Sequence, residues 1–73
     1  MTFSGRLVMA RKETGMTQSA VAEKLNVSFQ AVSLWERGET APDIDKLADI
    51  ASLYQVSLDW LLTGKQAFLK KNR

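Results

Sequence analysis

The stretch from Gln18 to Arg37 constrains the fold of this chain most, because its pattern predicts two short helices joined by a tight turn. Apolar and small residues recur on either side of Asn26 at helical spacing, namely Val21, Ala22 and Leu25 before it and Val32 and Trp35 after it. Residues three or four apart share one face of a helix, so the two apolar faces must meet. Asn26 tolerates the left-handed conformation that ends a helix, and Ser28 is suited to cap the next one.

Length and composition exclude most kinds of chemistry. A chain of 73 residues forms one domain with room for one site. It contains no Cys and no His, which excludes disulfides, thiol catalysis, imidazole bases and nearly all zinc sites. No nucleophile arrangement is recognisable, no apolar run approaches the roughly 20 residues of a membrane span, and the first residues lack the core of a signal peptide. We therefore expect a soluble cytoplasmic protein that is not an enzyme, does not bind a membrane, and needs no cofactor and no metal.

The net charge of +2 is unevenly distributed along the chain. Residues 1–64 carry six Lys or Arg and eight Asp or Glu, a net charge of −2, whereas residues 65–73 carry four cations and no acid. The composition predicts a domain over 1–64 followed by a basic C-terminal tail over 65–73. Any basic surface on the domain must therefore be local.

Periodicity and helix-end signals predict a compact all-α domain. The expected helices are helix 1 from Phe3 or Ser4 to Thr14, helix 2 from Gln18 to about Leu25, helix 3 from Phe29 to about Arg37, helix 4 from about Asp43 to Tyr54 and helix 5 from Leu58 to Leu62. We expect Thr17, Ser28 and Ser57 to begin helices and Gly15, Gly38 and Gly64 to end them. The core face of helix 4 is predicted to comprise Ile44, Leu47, Ile50, Ala51 and Tyr54.

Four segments identify a family resemblance that runs from about Arg6 to Leu62. They are Met-Thr-Gln-Ser-Ala-Val-Ala-Glu-Lys-Leu from Met16, Val-Ser-Phe-Gln-Ala-Val-Ser from Val27, Trp-Glu-Arg-Gly-Glu from Trp35, and Val-Ser-Leu-Asp-Trp-Leu-Leu from Val56. In this order and spacing they resemble the phage-repressor and Cro-like helix-turn-helix family, the xenobiotic-response-element type of transcriptional regulator. The resemblance implies a five-helix lambda-repressor-like domain that binds double-stranded DNA.

The resemblance makes residues 29–37 a recognition helix that enters the major groove of DNA. The candidate base contacts are Ser28, Phe29, Gln30, Ser33 and Leu34. Gln30 is the strongest of these, because its amide can donate and accept across an adenine edge. Phe29 either contacts a thymine methyl group or folds back to pack at the helix start. Leu34 either contacts a base, covers an apolar margin near helix 4, or contacts another protein.

The candidate phosphate contacts are Thr17, Gln18, Arg6, Lys12 and Arg37. Gln18 matches the position that binds phosphate in this family, at the start of helix 2, whereas the Thr17 hydroxyl can serve as a cap alone. The acids that follow helix 3, Glu39, Asp43 and Asp45, argue against tight binding, so we expect a modest salt dependence.

Two further sets of residues have expected structural roles. By resemblance, Arg11 and Glu36 form an ion pair between helix 1 and the end of the recognition helix; the alternative is that both are solvated. The apolar residues Leu58, Trp60 and Leu61 of helix 5 are expected at a homodimer interface, unless Trp60 fills the monomer's core. A two-fold dimer places two recognition helices roughly 34 Å apart and predicts a palindromic operator.

The expected function is sequence-specific binding of double-stranded DNA by a transcriptional regulator, of the repressor kind. The alternative is a protein-interaction module of the same fold, antitoxin-like or anti-repressor, that acts mainly through a protein partner.

Overall fold

The computed structural model describes residues 1–65, which form five α-helices and no β-strand. The helices are α1 (Phe3–Thr14), α2 (Gln18–Leu25), α3 (Phe29–Glu36), α4 (Ile44–Tyr54) and α5 (Leu58–Thr63). α1 packs against α3, α4 and α5, α2 packs against α3 and α4, and α4 packs against α5. The prediction of a five-helix all-α domain is confirmed. The predicted basic tail lies outside the described residues, apart from Lys65.

Every helix begins at a polar residue whose side-chain oxygen accepts a hydrogen bond from a backbone N–H of the first turn. These residues are Thr2, Thr17, Ser28, Asp43 and Ser57. Such a bond satisfies one of the donors that a helix leaves open at its start. The predicted caps Thr17, Ser28 and Ser57 are confirmed, and Asp43 lies just before α4 rather than within it.

Left-handed residues close the helices. Gly15, Gly38 and Gly64 have positive φ angles, as predicted, and Asn26 takes the same conformation with φ 58°. Gln55, which ends α4, has φ 58° as well, although its sequence carries no such signal. After α2, the Val27 N–H donates to the Ala22 carbonyl at 3.0 Å. This bond ties the turn to the helix that precedes it.

The core is formed by the inner faces of all five helices. Its buried apolar residues include Leu7 and Ala10 of α1, Val21 and Leu25 of α2, Val32 and Trp35 of α3, and Ile50, Ala51 and Tyr54 of α4. Leu47 packs against this core, but Ile44 is 80% exposed, so its predicted place in the core was wrong. Ile44 is the first residue of α4. Periodicity identifies the side of a helix that faces the core, but not how far along its axis the neighbouring helices extend.

The short helix α5 buries one side and exposes the other. Trp60 and Leu61 lie in the monomer's core, whereas Leu58 is 40% and Leu62 is 46% exposed. The expectation that Trp60 and Leu61 form a dimer interface was therefore wrong, because α1 and α4 already cover them. Leu58 stays on the surface. None of the helices within residues 1–65 has the length and apolarity needed to cross a membrane.

Candidate nucleic-acid interface

The paired helices α2 and α3 form the centre of the candidate interface. Their buried faces meet through Val21, Leu25, Val32 and Trp35, as the spacing of these residues predicts. Lys46 of α4 adds a bond that the sequence did not indicate, since its Nζ donates to the Leu25 carbonyl at 2.8 Å. A cation at the carboxyl end of α2 also complements the helix dipole. The relative orientation of α2 and α4 is therefore fixed by packing and by this bond.

The outer face of α3 carries the five candidate base contacts. Ser28, Phe29 and Gln30 are exposed, and Ser33 and Leu34 are half-buried. Phe29 is 51% exposed and lies outside the core, so it does not fold back. Leu34 is not among the side chains packed on the core either. Within residues 1–65 the amide of Gln30 makes no hydrogen bond, which leaves its donor and acceptor groups available for a base edge.

The N-terminus of α2 carries Thr17 and Gln18. Thr17 Oγ1 accepts a hydrogen bond from the Ala20 N–H at 3.1 Å, so Thr17 caps the helix. Its hydroxyl proton is still able to donate to another group. Gln18 is half-buried, and its Nε2 donates to Glu36 Oε1 at 2.8 Å. An α-helix N-terminus attracts anions through its open N–H groups and its dipole, which suits this end of α2 to a phosphate.

Arg11 and Glu36 form an ion pair between α1 and the end of α3. Arg11 Nε donates to Glu36 Oε2 at 2.7 Å, and Arg11 Nη2 donates to Glu36 Oε1 at 3.0 Å. The side chains are only 14% and 5% exposed, respectively, so neither is solvated as the alternative supposed. Arg11 Nη1 also donates to the Met16 carbonyl at 3.1 Å. The hydrogen bond with Glu36 raises the pKa of Arg11, which therefore stays charged.

The structure contradicts the prediction that Arg6 contacts a DNA phosphate. It is 8% exposed, and its guanidinium donates to three backbone carbonyls: Nε to Leu61 at 2.8 Å, Nη2 to Leu62 at 2.9 Å and Nη1 to Met1 at 2.7 Å. Arg6 thus holds the carboxyl end of α5 and is not available to DNA. The last turn of α5 contains no basic residue of its own, so its carbonyls are open to a donor from another helix.

Few cations are left for phosphate contacts on the described part of the chain. Lys12 and Arg37 are exposed. Arg37 Nη1 lies 3.4 Å from Glu39 Oε2, and both side chains are more than half exposed. An exposed pair of this kind contributes little energy, so Arg37 is able to exchange Glu39 for a phosphate. Of the acids after α3, Asp43 is engaged as a cap by the Lys46 N–H.

Comparison with known proteins identifies the family. A family model described as Helix-turn-helix matches residues 7–61. The chain belongs to this helix-turn-helix family, of the Cro/C1 type. The match covers all of α2, α3 and α4 and most of α1 and α5. It also includes Arg11, Gln18 and Glu36, which join these helices by hydrogen bonds.

Two curated relatives show how much of a longer protein such a helix-turn-helix domain represents. The HTH-type transcriptional regulator ImmR of Bacillus subtilis is 44% identical over 72 residues, which cover 99% of this chain and 56% of ImmR. The HTH-type transcriptional regulator DicA of Escherichia coli is 33% identical over 66 residues, which cover 90% of this chain and 49% of DicA. The chain thus spans about half the length of these relatives.

Two solved structures share the arrangement of the five helices. The P22 c2 repressor in complex with a synthetic operator aligns with a TM-score of 0.84 at 34% identity, covering 89% of this chain and 98% of that chain. The solution structure of the DNA-binding domain of the same repressor aligns with a TM-score of 0.82 at 32% identity, covering 99% of this chain and 92% of that chain. The fold of this helix-turn-helix domain is therefore that of a repressor domain solved on its operator.

Proposed function

We propose that this chain is a sequence-specific double-stranded DNA-binding domain of a transcriptional regulator, and that α3 reads the major groove. The observation that carries the proposal is the likeness to the P22 c2 repressor, which was solved in complex with an operator. The exposed outer face of α3 supports it, because that face presents side chains that donate, accept or contact a methyl group. No other function of the fold has a comparable observation in its favour.

Base readout would be divided between polar and apolar side chains. Gln30 suits an adenine edge, and the hydroxyls of Ser28 and Ser33 suit bases or nearby phosphates. Phe29 and Leu34 suit thymine methyl groups, since both project outside the core. A site rich in A·T pairs would match this set of side chains better than a G·C-rich one, because no Arg or Lys lies among them.

Phosphate contacts would set the register of α3 on the duplex. Thr17 and Gln18 at the N-terminus of α2 are the neutral donors, and Lys12 and Arg37 are the cationic ones. Counterion release scales with the number of phosphates that cations neutralise, so two such cations per subunit predict a modest salt dependence. The protein would act in the cytoplasm, where its DNA lies.

The proposal also includes the oligomeric state and the mode of action: the protein would bind a palindromic operator as a homodimer. It would repress transcription by occupying a promoter. Leu58 and Leu62 support it, because they are four residues apart on α5 and both expose apolar surface. Two copies related by a two-fold axis would present α3 to half-sites roughly 34 Å apart.

Selection of binding sites from random duplex DNA tests this function. The purified protein is incubated with the library at a low and a high salt concentration, and bound duplexes are sequenced. We expect a palindrome whose half-sites lie about one helical turn apart, enriched more strongly at low salt. A protein that is helical by circular dichroism but enriches no sequence would contradict the proposal and favour the protein-interaction alternative.

A further inference from the structure

The carboxylate of Glu36 joins three helices at one point. It is the last residue of α3, and it accepts hydrogen bonds from Arg11 of α1 and Gln18 of α2. Its Oε1 atom receives both Arg11 Nη2 at 3.0 Å and Gln18 Nε2 at 2.8 Å. Arg11 already pairs with both carboxylate oxygens. The bond from Gln18 is therefore additional to the ion pair and needs its own explanation.

The Glu36 carboxylate determines which end of the Gln18 amide faces the protein. A carboxylate accepts hydrogen bonds only, so the amide nitrogen rather than the amide oxygen must point toward it. One proton of Nε2 is used in this bond, and the Gln18 side chain makes no other hydrogen bond within residues 1–65. The second proton of Nε2 is left to donate to an acceptor such as a phosphate oxygen.

The same ion pair holds the backbone just before α2. Arg11 Nη1 donates to the Met16 carbonyl at 3.1 Å, one residue before the cap Thr17. The start of α2 is thus held at Met16 through Arg11 and at Gln18 through Glu36. A side chain that is already ordered loses less rotamer entropy when it binds a ligand than a free one does.

We propose that Glu36 is a positioning residue for DNA binding, which acts through Gln18 to hold the phosphate-binding start of α2 in register with α3. The role deepens the proposed function and rests on it. Glu36 itself touches no DNA in this arrangement, because its side chain is 5% exposed and is surrounded by its donors. Its effect on affinity must therefore be transmitted by the Gln18 amide.

A double-mutant cycle on operator affinity tests this role. Glu36→Asp draws the carboxylate back by one methylene from both donors, but it keeps the charge, which the longer side chain of Arg11 can follow more readily than the neutral Gln18 amide; Gln18→Ala removes that amide. We expect each single change to weaken binding roughly tenfold, the worth of one hydrogen bond to a charged group. In the Gln18→Ala background, Glu36→Asp should weaken binding by about twofold or less, because the amide that Glu36 positions is gone and only its contact with Arg11 remains.

A matched cycle with Gln30→Ala provides the control. Gln30 lies on the same helix as Glu36 but is exposed and not bonded to it, so the two losses should multiply. An equal loss from Glu36→Asp with and without Gln18 would overturn the positioning role. Coupling to Gln30 as strong as that to Gln18 would also overturn it, since Glu36 would then act on α3 as a whole.

A second measurement needs no DNA and covers the case in which Glu36→Asp unfolds the protein. In the free protein, the NMR signals of the Gln18 side-chain amide should differ from those of exposed Gln30 and should exchange with solvent more slowly. Signals that coincide with those of Gln30 would overturn the proposal. Absence of DNA binding by the unaltered protein would overturn the proposed function itself, whereas binding with multiplying losses would overturn only the role of Glu36.

Discussion

Arg6 and Lys12 lie on the same helix but have opposite environments. Arg6 is buried and its guanidinium is engaged by three carbonyls, whereas Lys12 is exposed. A buried cation without partners would be very costly, so its hydrogen bonds are a condition of the fold. An exposed cation instead interacts with whatever anion approaches. Of the two, only Lys12 is suited to a phosphate.

Replacing each of these cations should separate stability from binding. We expect Arg6→Met, which keeps the apolar stem, to lower the free energy of unfolding by about 2–4 kcal/mol, because three carbonyls lose their donors. Lys12→Ala should change it by less than about 0.5 kcal/mol. It should instead reduce the slope of log affinity against log salt by about 1. Urea unfolding measures the free energy of unfolding, and DNA titrations at several salt concentrations measure the slope. Equal stability of the two variants would contradict the structural role of Arg6.

Gln30 should contribute specificity rather than stability. We expect Gln30→Ala to weaken binding to the selected operator by about 1–3 kcal/mol and to leave binding to random duplex nearly unchanged. The reason is that its exposed amide would be used only at the correct base pair. Competition assays with both duplexes measure the difference, and Ser52→Ala, an exposed polar change on α4, serves as the control. A similar loss on both duplexes would show that Gln30 contacts the backbone of DNA instead.

Tyr54 should limit the stability of the domain at alkaline pH. Burial raises the pKa of this side chain above its ordinary value of 10.0, and the nearby Glu36 charge raises it further while Arg11 lowers it. The unfolded chain therefore releases the proton first, so the stabilisation is complete below about pH 10 and is lost as pH rises above it. Tyr54 is the only tyrosine of the chain, and its absorbance reports its ionisation directly.

The measurement is an alkaline titration followed by absorbance and circular dichroism. In the unaltered protein, tyrosinate should appear together with the loss of helix. Tyr54→Phe should shift the alkaline unfolding to higher pH. A tyrosine that ionises near pH 10 in the folded protein would contradict its burial.

At the scale of the elements, the helix bounds follow from local signals. The predicted starts and ends of α1 and α2 agree with the structure, and those of α3, α4 and α5 agree to within one residue. The agreement has a physical cause, since caps and left-handed residues make hydrogen bonds within a few positions of the chain. The exception is Gln55, which is left-handed without being Gly or Asn. Packing of α4 and α5 against α1 imposes a reversal of the chain at that point.

The domain should become more stable when Gln55, the left-handed residue after α4, is replaced by Gly. We expect Gln55→Gly to raise the free energy of unfolding by about 0.5–1 kcal/mol, because Gly adopts φ 58° without the clash of a Cβ atom, less the entropy it adds to the unfolded chain. Asn26→Gly, at the same φ in the turn before α3, should gain less, since Asn already tolerates it. Thermal and urea unfolding compare the two variants. A Gln55→Gly protein that is less stable would mean that its side chain contributes to the fold.

At the scale of the whole molecule, the arrangement of α5 separates core from surface. Trp60 and Leu61 complete the core that α1 and α4 begin, and the buried Arg6 holds the end of the helix. Leu58 and Leu62 are left on the outside. If two copies meet there, the dimer depends on a helix whose position is set inside each monomer.

Leu58 should be needed for binding to a full operator but not to half of one. We expect Leu58→Gln to weaken binding to the palindrome roughly tenfold, the loss expected from a few tens of Å² of apolar contact, and to leave binding to an isolated half-site unchanged. Ile44→Gln is the matched control, because it removes another exposed apolar side chain at a different place. Gel shifts on both duplexes measure the effect. Equal behaviour of the two variants would contradict a dimer through α5.

The sequence by itself determined which segments are helical, where they begin and end, the face of each that is apolar, and the family to which the chain belongs. Those properties depend on spacing and on hydrogen bonds between neighbours in the chain. Only the tertiary structure decided that Arg6 and Trp60 are buried, that Ile44 is exposed and that the amide of Gln18 is bonded to Glu36. Burial and long-range pairing depend on which helices meet and how far they overlap, so the same Arg is a phosphate contact on one surface and a structural residue beneath another.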